Sequence, residues 1–139
     1  MKETRLVIDH IAVGVRDYEE SLEFYSRALE PLGLELVVET GADNRAAGFG
    51  YGGRDDFWIH EGRPQGRMHV AFEAQSHEQV DAFHAAALDA GGRDNGAPGL
   101  RPEYSATYYA AYILDPNGNN IEAVFHGDVP DEKGNQLPR

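Results

Sequence analysis

The chain carries an internal copy of itself. Residues 10–33 (HIAVGVRDYEESLEFYSRALEPLG) align with residues 69–92 (HVAFEAQSHEQVDAFHAAALDAGG) without a gap, at a constant offset of 59 positions. Such a repeat means that one supersecondary unit is used twice, which limits the possible folds more than composition does. Each copy opens with an apolar strand, 6–15 and 68–74, bearing a histidine at the same place, His10 and His69. A helix follows each strand. Asp17 with Glu20, and Ser76 with Gln79, have capping-box spacing, in which the first side chain accepts from a free N–H of the opening turn. Leu22, Tyr25 and Leu29, and then Val80, Phe83, Ala87 and Leu88, recur at helical spacing and give each helix an apolar stripe. Pro31 and Gly33 end the first helix, and Gly91-Gly92 the second.

Beyond the helices the copies diverge. The first continues into strands at 34–39, 45–51 and 56–61. In the second, 93–105 holds Asn95-Gly96, Pro98-Gly99 and Pro102 and reads as a loop, followed by strands at 108–114 and 120–126 joined by DPNGN. Residues 62–66 are the linker between copies and 127–139 a polar tail. The expected organisation is one domain over 1–126, built of modules 6–61 and 67–126. A length of 139 residues suits a single compact domain.

Charge and cysteine content exclude several functions. Twelve Lys and Arg face 24 Asp and Glu, a formal charge of −12 with no basic cluster, so nucleic acid and anionic membranes are poor partners. There is no cysteine, hence no disulfide, thiolate ligand or cysteine nucleophile. MKETRLVIDH reaches a charged pair before any apolar run of signal-peptide length, and no stretch has the length of a membrane span, so a cytoplasmic location is expected.

Any metal must therefore sit on His, Asp or Glu. Strand side chains alternate between faces. Ile11, Val13 and Val15 form an apolar row for the helix, which leaves His10, Ala12 and Gly14 on the other face. Val70 and Phe72 likewise oppose His69, Ala71 and Glu73, and Ile121, Ala123 and Phe125 oppose Asn120, Glu122, Val124 and His126. His10, His69 and Glu122 thus share the non-helix face. Two imidazoles and a carboxylate suit one divalent ion, Zn, Ni, Fe, Mn or Co, with open positions for water or substrate. His60 is a candidate fourth member, because matching WIHE to NIEA sets it opposite Glu122.

With these residues in view, the chain resembles the vicinal oxygen chelate superfamily, the glyoxalase, bleomycin-resistance and extradiol dioxygenase-like proteins. The resemblance spans 6–126 and rests on DHIAVGVRDYEESLEFYSRAL, on HVAFEA before a helix ending in GG, and on ILDPNGNNIEAV, which is similar to the family's DPxGxxxE ending. It implies an α+β fold of two βαβββ modules forming a curled mixed sheet around a central cleft, often in a homodimer and sometimes with modules exchanged between chains. It implies metal ligands at His10, His69 and Glu122, with the remaining ligand of glyoxalase I falling on His60.

The resemblance also implies small-molecule substrates that chelate the metal through two neighbouring oxygens, in lyase, isomerase or oxygenase chemistry. In that reading Glu122 is a ligand that can also act as base, and His60 is an alternative base. The other implied reading is a bleomycin-resistance type of binding protein without turnover. Pocket candidates are aromatic: Phe49, Tyr51, Trp58, Tyr104, Tyr108, Tyr109 and Tyr112. Trp58, Tyr104 and Tyr109 are the first choices as substrate-binding residues, with Arg101 to hold an anionic group.

Overall fold

The computed structural model describes residues 7–41 and 43–127. The first six residues and nearly all of the expected polar tail lie outside them. The described chain runs β1 (Ile11–Val15), α1 (Tyr18–Leu29), a 3-10 turn (Glu30–Leu32), β2 (Glu35–Glu39), β3 (Ala46–Gly50) and β4 (Phe57–Glu61), then β5 (His69–Glu73), α2 (His77–Asp89), β6 (Arg93–Leu100), β7 (Tyr109–Leu114) and β8 (Asn120–Phe125). The two halves are βαβββ modules with the same topology. Their sheets are ordered β1-β4-β3-β2 and β5-β8-β7-β6. In each, the first and last strands pair in parallel and the remaining pairs are antiparallel. Among the described residues the sheets remain separate, with no hydrogen-bonded ladder from one to the other.

Both helices begin where the capping residues place them. The Asp17 side chain accepts from the N–H of Glu20, and that of Ser76 from the N–H of Gln79. Gln79 reaches back as well, its Oε1 accepting from the N–H of Gln75 at 2.8 Å. Gly33 closes α1 and its 3-10 turn with φ of 79°, a left-handed value that glycine adopts without steric cost.

The helix-facing strand residues form the core. Val13, Val15, Ile59, Phe24, Tyr25 and Leu29 of the first module and Ile113, Ile121, Ala123, Val80, Phe83 and Ala87 of the second belong to one buried cluster. Leu88, expected in the second apolar stripe, is 39% exposed. The core runs across both modules: the Phe57 and Phe72 rings meet edge to face at 5.2 Å. Arg27 of α1 pairs with Asp89 of α2 at the surface.

Two elements differ from the sequence expectation. The first strand begins only at Ile11, so His10 stands just before it. The stretch expected to be a loop contains β6, an edge strand over Arg93–Leu100. Its glycines and proline interrupt the ladder with register shifts between Asp94 and Gly96 and between Gly96 and Gly99, yet pairing with β7 holds it extended.

The DPNGN turn also ties the modules together. The buried Asp115 carboxylate accepts from the N–H groups of Asn117 and Asn119, from Nδ2 of Asn119, and from the Tyr25 hydroxyl of α1. Asn117 reaches Ser21 of α1 and the backbone of Arg16, and Asn119 Oδ1 accepts from the N–H of Met68 at 3.0 Å. One turn therefore sets the start of β8, which carries Glu122, and the residue before His69.

Candidate metal centre

Glu122 sits in the middle of β8 between Ala71 of β5 and Tyr112 of β7. Alternation turns it away from α2, and the small Ala71 leaves room beside it. Its side chain is only 2% exposed, so both oxygens need partners. Oε1 lies 2.8 Å from Nε2 of His69, and Oε2 accepts from the Tyr108 hydroxyl at 2.5 Å. Burial, then the bond to the Glu122 carboxylate, push the Tyr108 hydroxyl well above its ordinary range, so it remains a proton donor. Burial and Glu122 raise Tyr112 too. These groups line a cavity of about 560 Å³, which also meets Arg101, Glu103 and Tyr104.

The first module presents a different wall. His10 is exposed, its Nδ1 2.9 Å from Asp9 Oδ1, and the hydrogen bond to His10 lowers the Asp9 carboxyl. With Ala12, Ala46, Trp58 and His60 it borders a cavity of about 460 Å³. The Trp58 indole lies across Gly48, where a Cβ would come within 2.8 Å of its Cε2, so glycine is what admits the ring.

Sheet register corrects one sequence match. Ala12 pairs with Trp58, and its repeat mate Ala71 pairs with Glu122. Gly14 pairs with His60, and its mate Glu73 with Val124. Trp58 therefore holds the place related to Glu122, while His60 lies two residues further along β4. The isoleucines shared by WIHE and NIEA therefore stand two positions out of register between the modules.

His69 and Glu122 thus come together, while His10 and His60 share another cavity. Among the described residues no three His, Asp or Glu side chains form one metal-binding group. Arg101 and Tyr104 lie on the Glu122 cavity and Trp58 on the His10 cavity. Tyr109 is not on either. It points to α2, where its ring stacks on His77 at 3.9 Å and its hydroxyl donates to Asp81. Tyr108 and Tyr112, lower in the sequence ranking, take the cavity instead, and alternation along β7 is the signal that separates them from Tyr109. Phe49 is core and Tyr51 is exposed.

The Glyoxalase/Bleomycin resistance protein/Dioxygenase superfamily model matches residues 7–123. The chain belongs to this superfamily. Among solved structures, a glyoxalase/bleomycin resistance protein from Albidiferax ferrireducens is 32% identical, with 84% of this chain and 96% of that one covered and a TM-score of 0.65. Glyoxalase I from Zea mays is 22% identical, covering 85% of this chain and 45% of its own, with a TM-score of 0.64. A glyoxalase-related enzyme from Fulvimarina pelagi is 16% identical over 95% and 97% of the two chains, also with a TM-score of 0.64. The latter two likenesses show the fold alone. No curated protein matches the sequence. The superfamily includes enzymes and is one of small-molecule binding. Among the described residues no helix is long and apolar enough to cross a membrane.

Proposed function

We propose that this superfamily member is a metal-dependent enzyme acting on a small molecule through two neighbouring oxygens. One observation carries the reading: a nearly fully buried carboxylate, Glu122, opens on a cavity with a histidine nitrogen 2.8 Å from one of its oxygens. Among the described residues no Lys or Arg pairs with this buried acid, and a bound divalent ion would supply the cation it lacks. The donor set fits a divalent ion of the Zn, Ni, Fe, Mn or Co kind.

His69 and Glu122 would hold the ion, and His10 would complete the set. A bound divalent ion supplies Lewis-acid polarisation of substrate oxygens. The chain's own groups do the rest. Tyr108 keeps its proton and anchors Oε2, which leaves Oε1 as the oxygen that can bind or accept a substrate proton. His60, which borders the same cavity as His10, is a second candidate base, and Trp58 walls that side. Because His10 and Glu122 border different cavities, we read the working form as a homodimer in which the first module of one copy faces the second module of the other.

The test is elemental analysis of protein purified without chelators, followed by turnover assays with methylglyoxal hemithioacetal, catechols and epoxide antibiotics. Stoichiometric metal is expected, and its loss in His69→Ala and in Glu122→Gln. Full retention in both variants sinks the proposal. Mixing His10→Ala with Glu122→Gln subunits should regenerate one intact site per mixed dimer if sites are shared; no recovery places each site within one chain. A second reading, capture of a toxic small molecule without turnover, draws on Trp58, which puts an apolar wall where the repeat would allow a fourth ligand. Product formation by metal-loaded protein excludes it.

A further inference from the structure

The Glu122 cavity has a second pole. Arg101 follows β6, and its guanidinium folds back over the sheet, Nη2 donating to the Ala97 carbonyl at 2.7 Å and Nη1 to the Leu100 carbonyl at 3.4 Å. It rests 5.3 Å from the Tyr112 ring centroid. The fold leaves space for it there: a Cβ at Gly99 would lie 3.1 Å from Nη1, and one at Gly96 would lie 3.4 Å from Nη2. The two glycines that flank a register shift in β6 thus also leave room for the cation to lie over the sheet.

Register gives the separation of the poles. Gly96 pairs with Tyr112, and Tyr112 with Glu122. Adjacent strands stand about 4.8 Å apart, so the sheet beneath the guanidinium is about 10 Å across from Glu122. Between them Tyr104, Tyr108 and Tyr112 supply an aromatic wall. A guanidinium offers five donors, of which the two carbonyls engage two. Among the described residues no carboxylate forms an ion pair with Arg101. The other charged or titratable side chains on this cavity are His69, Glu122, the tyrosines and Glu103, which stands exposed at the rim. In a chain of net charge −12, general electrostatic attraction does not draw an anion here. A local planar cation on a tyrosine face does, because its fork matches a carboxylate in two parallel hydrogen bonds.

We propose that Arg101 is an anion subsite of this cavity, and that the ligand is a small aromatic carboxylate with its carboxylate on Arg101, its ring along the tyrosines and two neighbouring oxygens at the Glu122 end. The position of the oxygens rests on the function proposed above; the anion subsite does not. Benzoate, catechol and protocatechuate serve as probes in calorimetric titrations of the full chain, both stripped of metal and loaded with zinc. Metal-free protein should bind benzoate, with affinity falling about tenfold or more in Arg101→Gln, the loss of a charge-assisted pair. Arg101→Lys should recover part of it. Zinc-loaded protein should prefer protocatechuate over catechol by a similar factor, and Arg101→Gln should erase that preference. Benzoate bound without any zinc-dependent catechol binding would sustain the subsite and defeat the metal reading. Carboxylates that bind equally well to the wild-type chain and Arg101→Gln, or that fail to bind at millimolar concentration, overturn the subsite. Thermal unfolding of each variant identifies any that has lost its fold, in which case the wild-type preference for protocatechuate over catechol decides.

Discussion

The two modules share a topology, the position of their helix caps and the pairing of their first and last strands, but they have put different chemistry on the same place in the sheet. Where the second carries Glu122, beside His69 and under Tyr108, the first carries Trp58 lying across Gly48. The difference shows which constraints duplication keeps. Helix-facing residues must fill a common core and remain apolar in both copies. The opposite face is released from that demand, so one copy can hold a charged group and the other a wall. The largest expected effect follows directly. Glu122→Ala should abolish stoichiometric metal, while Trp58→Ala should leave it in place and alter only ligand affinity. Equal metal loss in the two variants would mean that both modules contribute through the related positions after all, and elemental analysis of the purified proteins reads the outcome.

The turns preceding those strands differ as sharply. Between β3 and β4 the chain crosses exposed residues, and Arg54 pairs with Asp56 at the surface. Between β7 and β8 the Asp115 carboxylate is buried under four donors, one of them Tyr25 of the other module. Removing an acceptor that several buried donors share leaves those donors unsatisfied. Asp115→Ala should therefore cost about 3 kcal/mol in urea unfolding, whereas Arg54→Ala should stay within about 0.5 kcal/mol. A cost for Asp115→Ala as small as that for Arg54→Ala would show that the turn does not join the modules energetically. Because Asn119 also holds Met68, the Asp115 variant should bind metal less well even where it remains folded.

Tyr108 and Tyr109 are adjacent in sequence and opposite in role. The hydroxyl of Tyr108 secures Glu122 Oε2, and that of Tyr109 donates to Asp81 on α2. Partners that orient a metal ligand are typically worth about tenfold or more in metal affinity. Tyr108→Phe should thus weaken zinc binding about tenfold, and Tyr109→Phe should not change it, as measured by competition with a chromophoric chelator. Zinc affinity unchanged in Tyr108→Phe would reduce its bond to Glu122 to a packing detail.

The facing of His69 and Glu122 was legible because alternation within a short strand is local, and the caps at Asp17 and Ser76 were legible because their spacing is local too. β6 was not. Its Asn-Gly and Pro-Gly pairs carry turn propensity, and only the ladder from β7 overrides it, with two irregularities. The exchange of Trp58 for His60 has a similar origin: strings sharing an isoleucine look aligned, but register is set by hydrogen bonds to β1 and β3, residues distant in sequence. Nor can a repeat tell whether its two histidines meet within one chain, since that depends on how whole modules pack. Tyr109 illustrates the intermediate case. Alternation divides β7 into two faces, but the pairing of Tyr112 with Glu122 is needed to say which face the cavity takes.

Each module also has a tyrosine that donates to a glutamate, and the pair predicts the smallest effect. In the first, the Tyr18 hydroxyl donates to Glu39 at 2.7 Å, and burial followed by that carboxylate pushes its pKa up to about 12. A folded pKa above the unfolded one means that the folded chain holds the proton over a range in which the unfolded chain has released it. Tyr18 thus contributes stability that is fully present below about pH 10, declines as pH rises and is lost once pH passes about 12. Tyr18→Phe keeps the ring packing but removes this titration, so its stability should fall less steeply over that window than that of the parent chain. Urea midpoints taken across the window measure the difference. Tyr108→Phe, whose parent hydroxyl is also raised by burial and by Glu122, should flatten the same alkaline slope. If only the Tyr108 variant flattens it, the proton held by Tyr18 is not coupled to folding, and the two modules differ in their polar anchors as well as in their sites.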